Sequence, residues 1–126
     1  MGNGTSIGRV RGLGSAKEGT HHWLLQRWTA IGNLVLLTYL AVSLLLLPNL
    51  GYQAVSEWIA SPVPAAALAL LIVSTFWHAR LGLQVFIEDY VHGGNRLAAL
   101  IALNLVTFGG AAFGLLSIVR LALGGA

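Results

Sequence analysis

One segment of the sequence, residues 76–92, sets ionisable and aromatic side chains in a strongly apolar surrounding. His78 and Arg80 lie inside the apolar run, and Asp89 and Tyr90 follow at its end. Ionisable groups at membrane depth are costly and rare, and they usually serve a cofactor, an ion path or a partner. This segment is therefore the first candidate for chemistry, and the rest of the chain must position it in a bilayer.

The composition indicates an integral membrane protein. Of the 126 residues, 56% are hydrophobic and only 9% are charged, whereas a soluble domain carries about a quarter charged residues. The chain has no cysteine, which excludes disulfides and thiolate-held iron–sulfur clusters on it. The formal net charge of +3 is concentrated in the first 27 residues, so we interpret it as a topology signal and expect no nucleic-acid partner.

Hydropathy predicts an all-α fold with three transmembrane helices. The predicted spans are residues 28–47, 63–87 and 97–122, behind a basic, glycine-rich segment of residues 1–27. Each span is long enough to cross a hydrocarbon core of about 30 Å. Pro48 is expected to end the first helix because it lacks a backbone donor and clashes with the preceding turn.

The connections between the spans are predicted to be short. Residues 49–61 are expected to form a loop, and residues 88–95 an exit and a tight turn. Pro62 marks the start of the second helix, where its missing N–H is not needed. Gly110 and Gly114 give the third span a small-residue face that another helix could approach closely.

Orientation follows from the distribution of cations. The first 27 residues hold four, the turn after the second span adds Arg96, the first loop has none and the C-terminal end has only Arg120. The positive-inside rule therefore predicts a cytoplasmic or matrix N-terminus, with the C-terminus on the opposite side.

His78 is predicted to lie near the middle of the bilayer. It precedes Ile87 by nine residues, which is about 14 Å along a helix. A neutral imidazole there needs partners for both ring nitrogens. Haem iron would be such a partner, and Gly82, one turn on, would leave room for a flat macrocycle. A hydrogen bond to a neighbouring helix explains the residue equally well.

A six-coordinate haem would need a second axial ligand. The remaining histidines lie at or beyond the predicted interfaces: His21, His22 and His92. None is expected to reach the depth of His78, so a second histidine would have to come from another subunit.

Asp89 and Tyr90 could serve a quinone. Asp89 follows His78 by eleven residues and so lies near the same helix face. A tyrosine O–H can donate to a quinone carbonyl, and an aspartate near water can relay a proton. An interfacial aromatic belt and a solvated acid are the simpler interpretations.

Two arginines leave several roles open. Arg27 is predicted to open the first span at the same interface as Tyr90, where it could bind a haem propionate or a quinone oxygen, or act as a positive-inside anchor. Arg80 points to a different face from His78. It could pair with a propionate, pair with a buried partner on another subunit, or snorkel toward the surface.

Several stretches of this sequence resemble those of a known family. The stretch HARLGLQVFIEDYV, residues 78–91, is similar to the second helix of the succinate dehydrogenase hydrophobic membrane anchor subunits. Residues 12–23 and 27–31 resemble that family's approach to its first helix. The likeness covers most of the chain from Gly12 onward, although the glycine-rich residues 1–11 and His22 depart from the pattern of some members.

The resemblance implies a four-subunit succinate:quinone oxidoreductase of a bacterial or mitochondrial inner membrane. Its other subunits would be a flavoprotein, an iron–sulfur protein and a second, cytochrome b556-type anchor, which would share haem b with this chain. His78 matches the haem ligand, Tyr90 the tyrosine that binds ubiquinone and Asp89 the adjacent acid. His21 and Arg27 match positions near the haem propionates and the quinone pocket.

Three other functions stay open from the sequence. The chain could anchor a fumarate reductase-type complex, act as a non-redox membrane scaffold, or form part of a small two-subunit cytochrome b. No flavin motif or cysteine cluster is present, so no chemistry on succinate is expected from this chain in any of these roles.

Overall fold

The computed structural model describes residues 18–124, which form four α-helices and no strand. In chain order these are α1 (Gly19–Leu45), α2 (Tyr52–Ala60), α3 (Pro62–Tyr90) and α4 (Gly93–Ala122). Helices α1, α3 and α4 are long and apolar enough to cross a membrane. The predicted all-α fold with three membrane-spanning helices is confirmed, whereas the orientation of the termini stays a prediction.

The first helix begins earlier than predicted. The polar segment predicted over residues 1–27 overlaps α1, which starts at Gly19. Nothing in this stretch breaks a helix, since its polar side chains tolerate a helical backbone. Residues 1–17 lie outside the described residues. The other end of α1 follows the prediction, because the helix stops at Leu45, just before Pro48.

The predicted loop between the first two spans is also wrong, because it contains α2. The half-buried residues of α2 include Val55, Trp58 and Ile59, which have the spacing of one helical face, while Gln53 and Glu57 are exposed. This short amphipathic helix packs against both α3 and α4. A helix of nine residues gives too short a periodic signal to be recognised with certainty from sequence.

The turn between α3 and α4 is tighter than predicted. It consists of Val91 and His92, and α4 already begins at Gly93. Gly93 has a φ of 65°, in the left-handed region that glycine enters without a steric penalty. The chain therefore reverses direction within about three residues, which brings α3 and α4 side by side.

Helix α3 lies between α1 and α4 and packs against both. On the α1 side, the hydroxyl of Ser74 donates a hydrogen bond of 3.1 Å to the backbone carbonyl of Thr29. Gly32 permits this approach, since a Cβ at that position would lie 3.3 Å from Ser74 Oγ. The two helices are therefore joined by a polar contact at a point where α1 lacks a side chain.

On the opposite side, α3 packs against the small-residue face predicted for the third span. A Cβ at Gly110 would lie 2.6 Å from the ring of Phe76, and one at Gly114 would lie 3.1 Å from Ile72. Helices approach closely where glycine replaces larger residues. The predicted role of Gly110 and Gly114 is confirmed, and their neighbour is α3 of the same chain.

Most apolar side chains of the described residues remain uncovered. Among residues 18–124, the buried hydrophobic residues are Leu71 and Leu81, and Thr107 is a buried polar one. By contrast, Leu45 is 84% exposed and Phe113 is 75% exposed. A surface this apolar needs lipid or other protein around it, as expected for a multi-pass membrane protein.

The close approach at Gly110 can be tested against its neighbour Gly109. An alanine at either position gains about 1 kcal/mol of helix propensity. At Gly110 the new methyl group meets Phe76, and overpacking costs about 1–3 kcal/mol. We expect Gly110→Ala to lower the thermal unfolding midpoint of the detergent-solubilised protein relative to Gly109→Ala, since a Cβ at Gly109 meets nothing within 4 Å. Equal midpoints for the two variants would contradict this packing.

Candidate functional site

His78 is half-buried in α3 and contacts α1. Its Nδ1 lies 3.1 Å from the hydroxyl oxygen of Thr29. That hydroxyl also lies 2.8 Å from the backbone carbonyl oxygen of Leu25 and 3.1 Å from that of Gln26. The hydrogen bond to a neighbouring helix, which was one of the two interpretations of His78, is therefore present, and it uses only one of the two ring nitrogens.

The second ring nitrogen of His78 has no such partner. Among residues 18–124, Nε2 of His78 makes no hydrogen bond. The Thr29 hydroxyl has a single hydrogen, so its direction decides the tautomer of the imidazole. If that hydrogen points to a carbonyl of α1, Nδ1 carries a proton and Nε2 keeps a free lone pair, which is the state in which imidazole binds a metal.

The surroundings of His78 fit an axially held haem better than a metal ion bound by this chain alone. Within the described part of the chain, no group of three or more His, Cys, Asp or Glu residues could hold a metal ion. A haem needs only an axial donor from the protein. Gly82, one turn after His78, is exposed, and a Cβ there would meet only Gln26 Nε2, at 3.6 Å. The helix therefore offers an imidazole nitrogen that makes no hydrogen bond, one turn from a position without a side chain.

The other described histidines lie at a different depth. His21 and His22 precede Thr29 by eight and seven residues in α1, which places them about 10–12 Å from the level of His78. His92 lies beyond the end of α3, as the residue before α4. No other histidine in the described ranges is therefore level with His78.

A polar cavity of about 450 Å³ lies between the first turns of α1 and the second half of α3. Nε2 of His22 and Oε1 of Gln26 are buried nearby without a hydrogen-bond partner. The residues lining the cavity include His21, His22, Arg80, Gln84 and Glu88. Sequence reasoning missed this cavity because it exists only if α1 starts at Gly19 and runs alongside α3.

Arg80 is bound within its own chain. Its Nε donates a hydrogen bond of 2.7 Å to Oδ1 of Asn104 in α4, and its guanidinium carbon lies 5.8 Å from the centre of the Phe108 ring. None of the three roles left open for Arg80 includes this arrangement. Asn104 was overlooked, although a single asparagine in an apolar span is a recognisable signal of a polar contact between helices.

Asp89 and Tyr90 form the exposed end of α3. The side chain of Tyr90 is 71% exposed, and its ring lies 4.8 Å from that of Phe86. Neither the Asp89 carboxylate nor the Tyr90 hydroxyl hydrogen-bonds to another described residue. They follow His78 by eleven and twelve residues, which corresponds to about 17–18 Å along the helix.

Arg27 and Tyr90 lie at different levels along the α1–α3 pair, while their place relative to a membrane interface stays a prediction. Gln26 lies beside Gly82, which precedes Tyr90 by eight residues, or about 12 Å of helix. Arg27 is exposed and stacks on Trp23, with its guanidinium carbon 5.3 Å from the ring centre. It is two residues from Thr29, so it lies on the far side of α1 from α3. The register of α1 against α3 is the reason for this difference.

Comparison with known proteins identifies relatives of this chain. The family described as succinate dehydrogenase/fumarate reductase transmembrane subunit matches residues 1–114. The succinate dehydrogenase hydrophobic membrane anchor subunit of Rickettsia bellii (strain RML369-C) is 35% identical, over 79% of this chain and 80% of its own length. That of Rickettsia conorii is 37% identical, over 68% of each chain. No solved structure matches.

A relative from a different group of organisms carries a similar name to these two. The succinate dehydrogenase membrane anchor subunit of Reclinomonas americana is 30% identical, over 71% of this chain and 78% of its own length.

The contact between Arg80 and Asn104 can be tested by a double-mutant cycle. Asn104→Leu should lower the thermal midpoint of the solubilised protein, because a hydrogen bond to a charged group contributes about 1.5–3 kcal/mol. The same substitution made in an Arg80→Leu background should have a much smaller effect. Asn95→Leu, at the exposed start of α4, is the control. Full additivity of the two substitutions would show that the side chains are not coupled.

Proposed function

Since this chain belongs to the succinate dehydrogenase/fumarate reductase transmembrane subunit family, we propose that it is a membrane anchor of a succinate:quinone oxidoreductase in a bacterial or mitochondrial inner membrane. It shares a haem b with a second, cytochrome b556-type anchor and lines the site of ubiquinone reduction. A flavoprotein and an iron–sulfur subunit oxidise succinate outside this chain, which does no chemistry on succinate itself.

The observation that carries the proposal is the state of His78. Its Nδ1 is bonded to Thr29 of α1, while its Nε2 makes no bond within the described residues. An imidazole at this depth with one nitrogen that makes no hydrogen bond is suited to hold haem iron, and the exposed Gly82, one turn on, would leave room for the edge of a macrocycle. Haem b, when bound, supplies a one-electron carrier between the succinate-oxidising subunits and the quinone.

A second axial ligand would come from the partner anchor. The depth of the remaining described histidines supports this proposal, since they are about 10 Å or more from the level of His78 along the helices. His21 lines the polar cavity and can donate to a propionate that enters it. Arg27 faces away from α3, so it reaches a propionate or a quinone only if that group lies outside the α1–α3 pair, toward the partner.

Tyr90 and Asp89 bind the quinone at the end of α3. The Tyr90 hydroxyl is exposed and has no partner among residues 18–124, so it is free to donate to a quinone carbonyl. Its ring is supported by Phe86. Asp89, exposed beside it, delivers a proton from water to the reduced quinone.

The competing functions differ in observable ways. The relatives reported above all carry the name succinate dehydrogenase, which favours that complex over a fumarate reductase, although the family description includes both. A non-redox scaffold needs only the Thr29–His78 bond and no haem. A two-subunit cytochrome b would purify without a flavoprotein.

Haem ligation by His78 is tested in the complex purified in mild detergent. The wild-type complex should contain a flavoprotein and show a b-type absorption spectrum. His78→Ala should lose the haem or change its spectrum, because the axial donor is gone. His92→Ala, which removes an exposed imidazole that makes no capping bond, is the control. An unchanged spectrum in His78→Ala would refute the ligand, and a haem-free but fully assembled wild-type complex would favour the scaffold.

The role of Tyr90 is tested by Tyr90→Phe, which removes only the hydroxyl. Loss of one hydrogen bond should reduce succinate:quinone turnover on the order of tenfold. Succinate oxidation by an artificial dye should be unaffected, because that electron path does not need the quinone site.

The control for this experiment is Tyr52→Phe, since Tyr52 is also exposed but lies at the start of α2. If the Tyr90→Phe variant reduces quinone at the wild-type rate, Tyr90 has no part in the mechanism. If the variant also loses succinate oxidation by the dye, the complex is incorrectly assembled.

A further inference from the structure

Thr29 is the residue of α1 that contacts His78, and it is held from two directions. Its hydroxyl oxygen lies 2.8 Å from the Leu25 carbonyl oxygen, in its own helix, and 3.1 Å from Nδ1 of His78. Its backbone carbonyl accepts a 3.1 Å hydrogen bond from Ser74, one turn before His78 in α3. Two bonds therefore join this single residue to the same short stretch of α3.

We infer that Thr29 is a positioning residue, which fixes the tautomer and ring orientation of His78 and thereby tunes the haem that His78 holds. The inference rests on the proposed function, since it concerns the same haem. The shortest contact of the hydroxyl is to the Leu25 carbonyl, which can only accept a hydrogen. With the hydroxyl hydrogen used there, Thr29 Oγ1 accepts from Nδ1–H, and Nε2 is left as the donor to iron.

A hydrogen bond from Nδ1–H makes the imidazole a stronger donor and sets the plane of its ring. A more electron-rich axial ligand stabilises ferric over ferrous iron, so it lowers the reduction potential. The bond to Ser74 keeps the Thr29 backbone in place, and Gly32 leaves space for that bond. The acceptor is therefore preorganised on a rigid helix, as a residue that supports a ligand must be.

The test compares Thr29→Val with Thr29→Ser in the assembled complex. Valine keeps the shape of threonine but cannot accept from Nδ1–H, whereas serine keeps the hydroxyl. We expect Thr29→Val to shift the haem midpoint potential to a more positive value and to change the low-spin ferric EPR g-values. Thr29→Ser should keep the wild-type midpoint potential and g-values. A purely structural role would move neither the potential nor the EPR signal in this selective way.

Thr38 supplies a matched control in the same helix. Its hydroxyl makes the same kind of bond, 2.7 Å to the Leu34 carbonyl oxygen, but it is exposed. Thr38→Val therefore removes a comparable helix contact without affecting the histidine, and it should leave the potential and the EPR signal unchanged. If Thr38→Val shifts the potential as Thr29→Val does, the effect is not specific and the inference is wrong.

The outcomes separate this inference from the proposed function. A haem-free wild-type complex would refute the proposed function. A wild-type complex with haem, together with a Thr29→Val complex of identical potential and EPR spectrum, would refute only the role of Thr29. If Thr29→Val fails to assemble, Thr29→Ala is compared with Thr29→Ser in the same way. Equal potentials in alanine and serine variants would then overturn the inference.

Discussion

A polar side chain inside a bilayer has no water to bond, so the protein must supply its partner. In α3 this requirement is met from both sides. His78 and Ser74 bond to Thr29 of α1, and Arg80 bonds to Asn104 of α4. Each bond removes the free-energy cost of an unpaired polar group in lipid, since lipid cannot supply a hydrogen-bond partner. Together the bonds fix the rotation and depth of α3 between its neighbours. Apolar packing on Gly110 and Gly114 adds to these bonds, although few side chains of the described residues are buried.

The number and type of the membrane helices could be predicted because hydropathy over about 20 residues directly reflects the thickness of the bilayer. The ends of the helices could not. Helix α1 continues to Gly19 through polar residues, since a helix can extend past the hydrocarbon into the interface without changing its apolar core. Helix α2 could not be predicted for a similar reason. Its nine residues lie where the composition allows either a loop or an amphipathic helix.

The candidate site could also be predicted only in part from the sequence. His78 could be identified from the sequence because an imidazole in an apolar run is unusual in itself. Its bond to Thr29 could not, since the two residues are 49 positions apart and their contact depends on the register of α1 against α3. Arg27 shows the consequence of that register. Its place next to a predicted helix start predicts the same interface as Tyr90. The contact between Gln26 and Gly82 puts it about 12 Å from the level of Tyr90 along the helices and on the outer side of α1.

The two proposed functions of α3 need a fixed separation, and a single helix provides it. His78 and Tyr90 are about 18 Å apart along the helix axis, so a haem at one and a quinone at the other cannot drift relative to each other unless α3 bends. Bending is opposed by the close packing of Phe76 on Gly110 and of Ile72 on Gly114, together with the Arg80–Asn104 bond. Helix α4 carries none of the proposed site residues, so in this account it keeps α3 straight and in place, while α1 sets the state of the histidine.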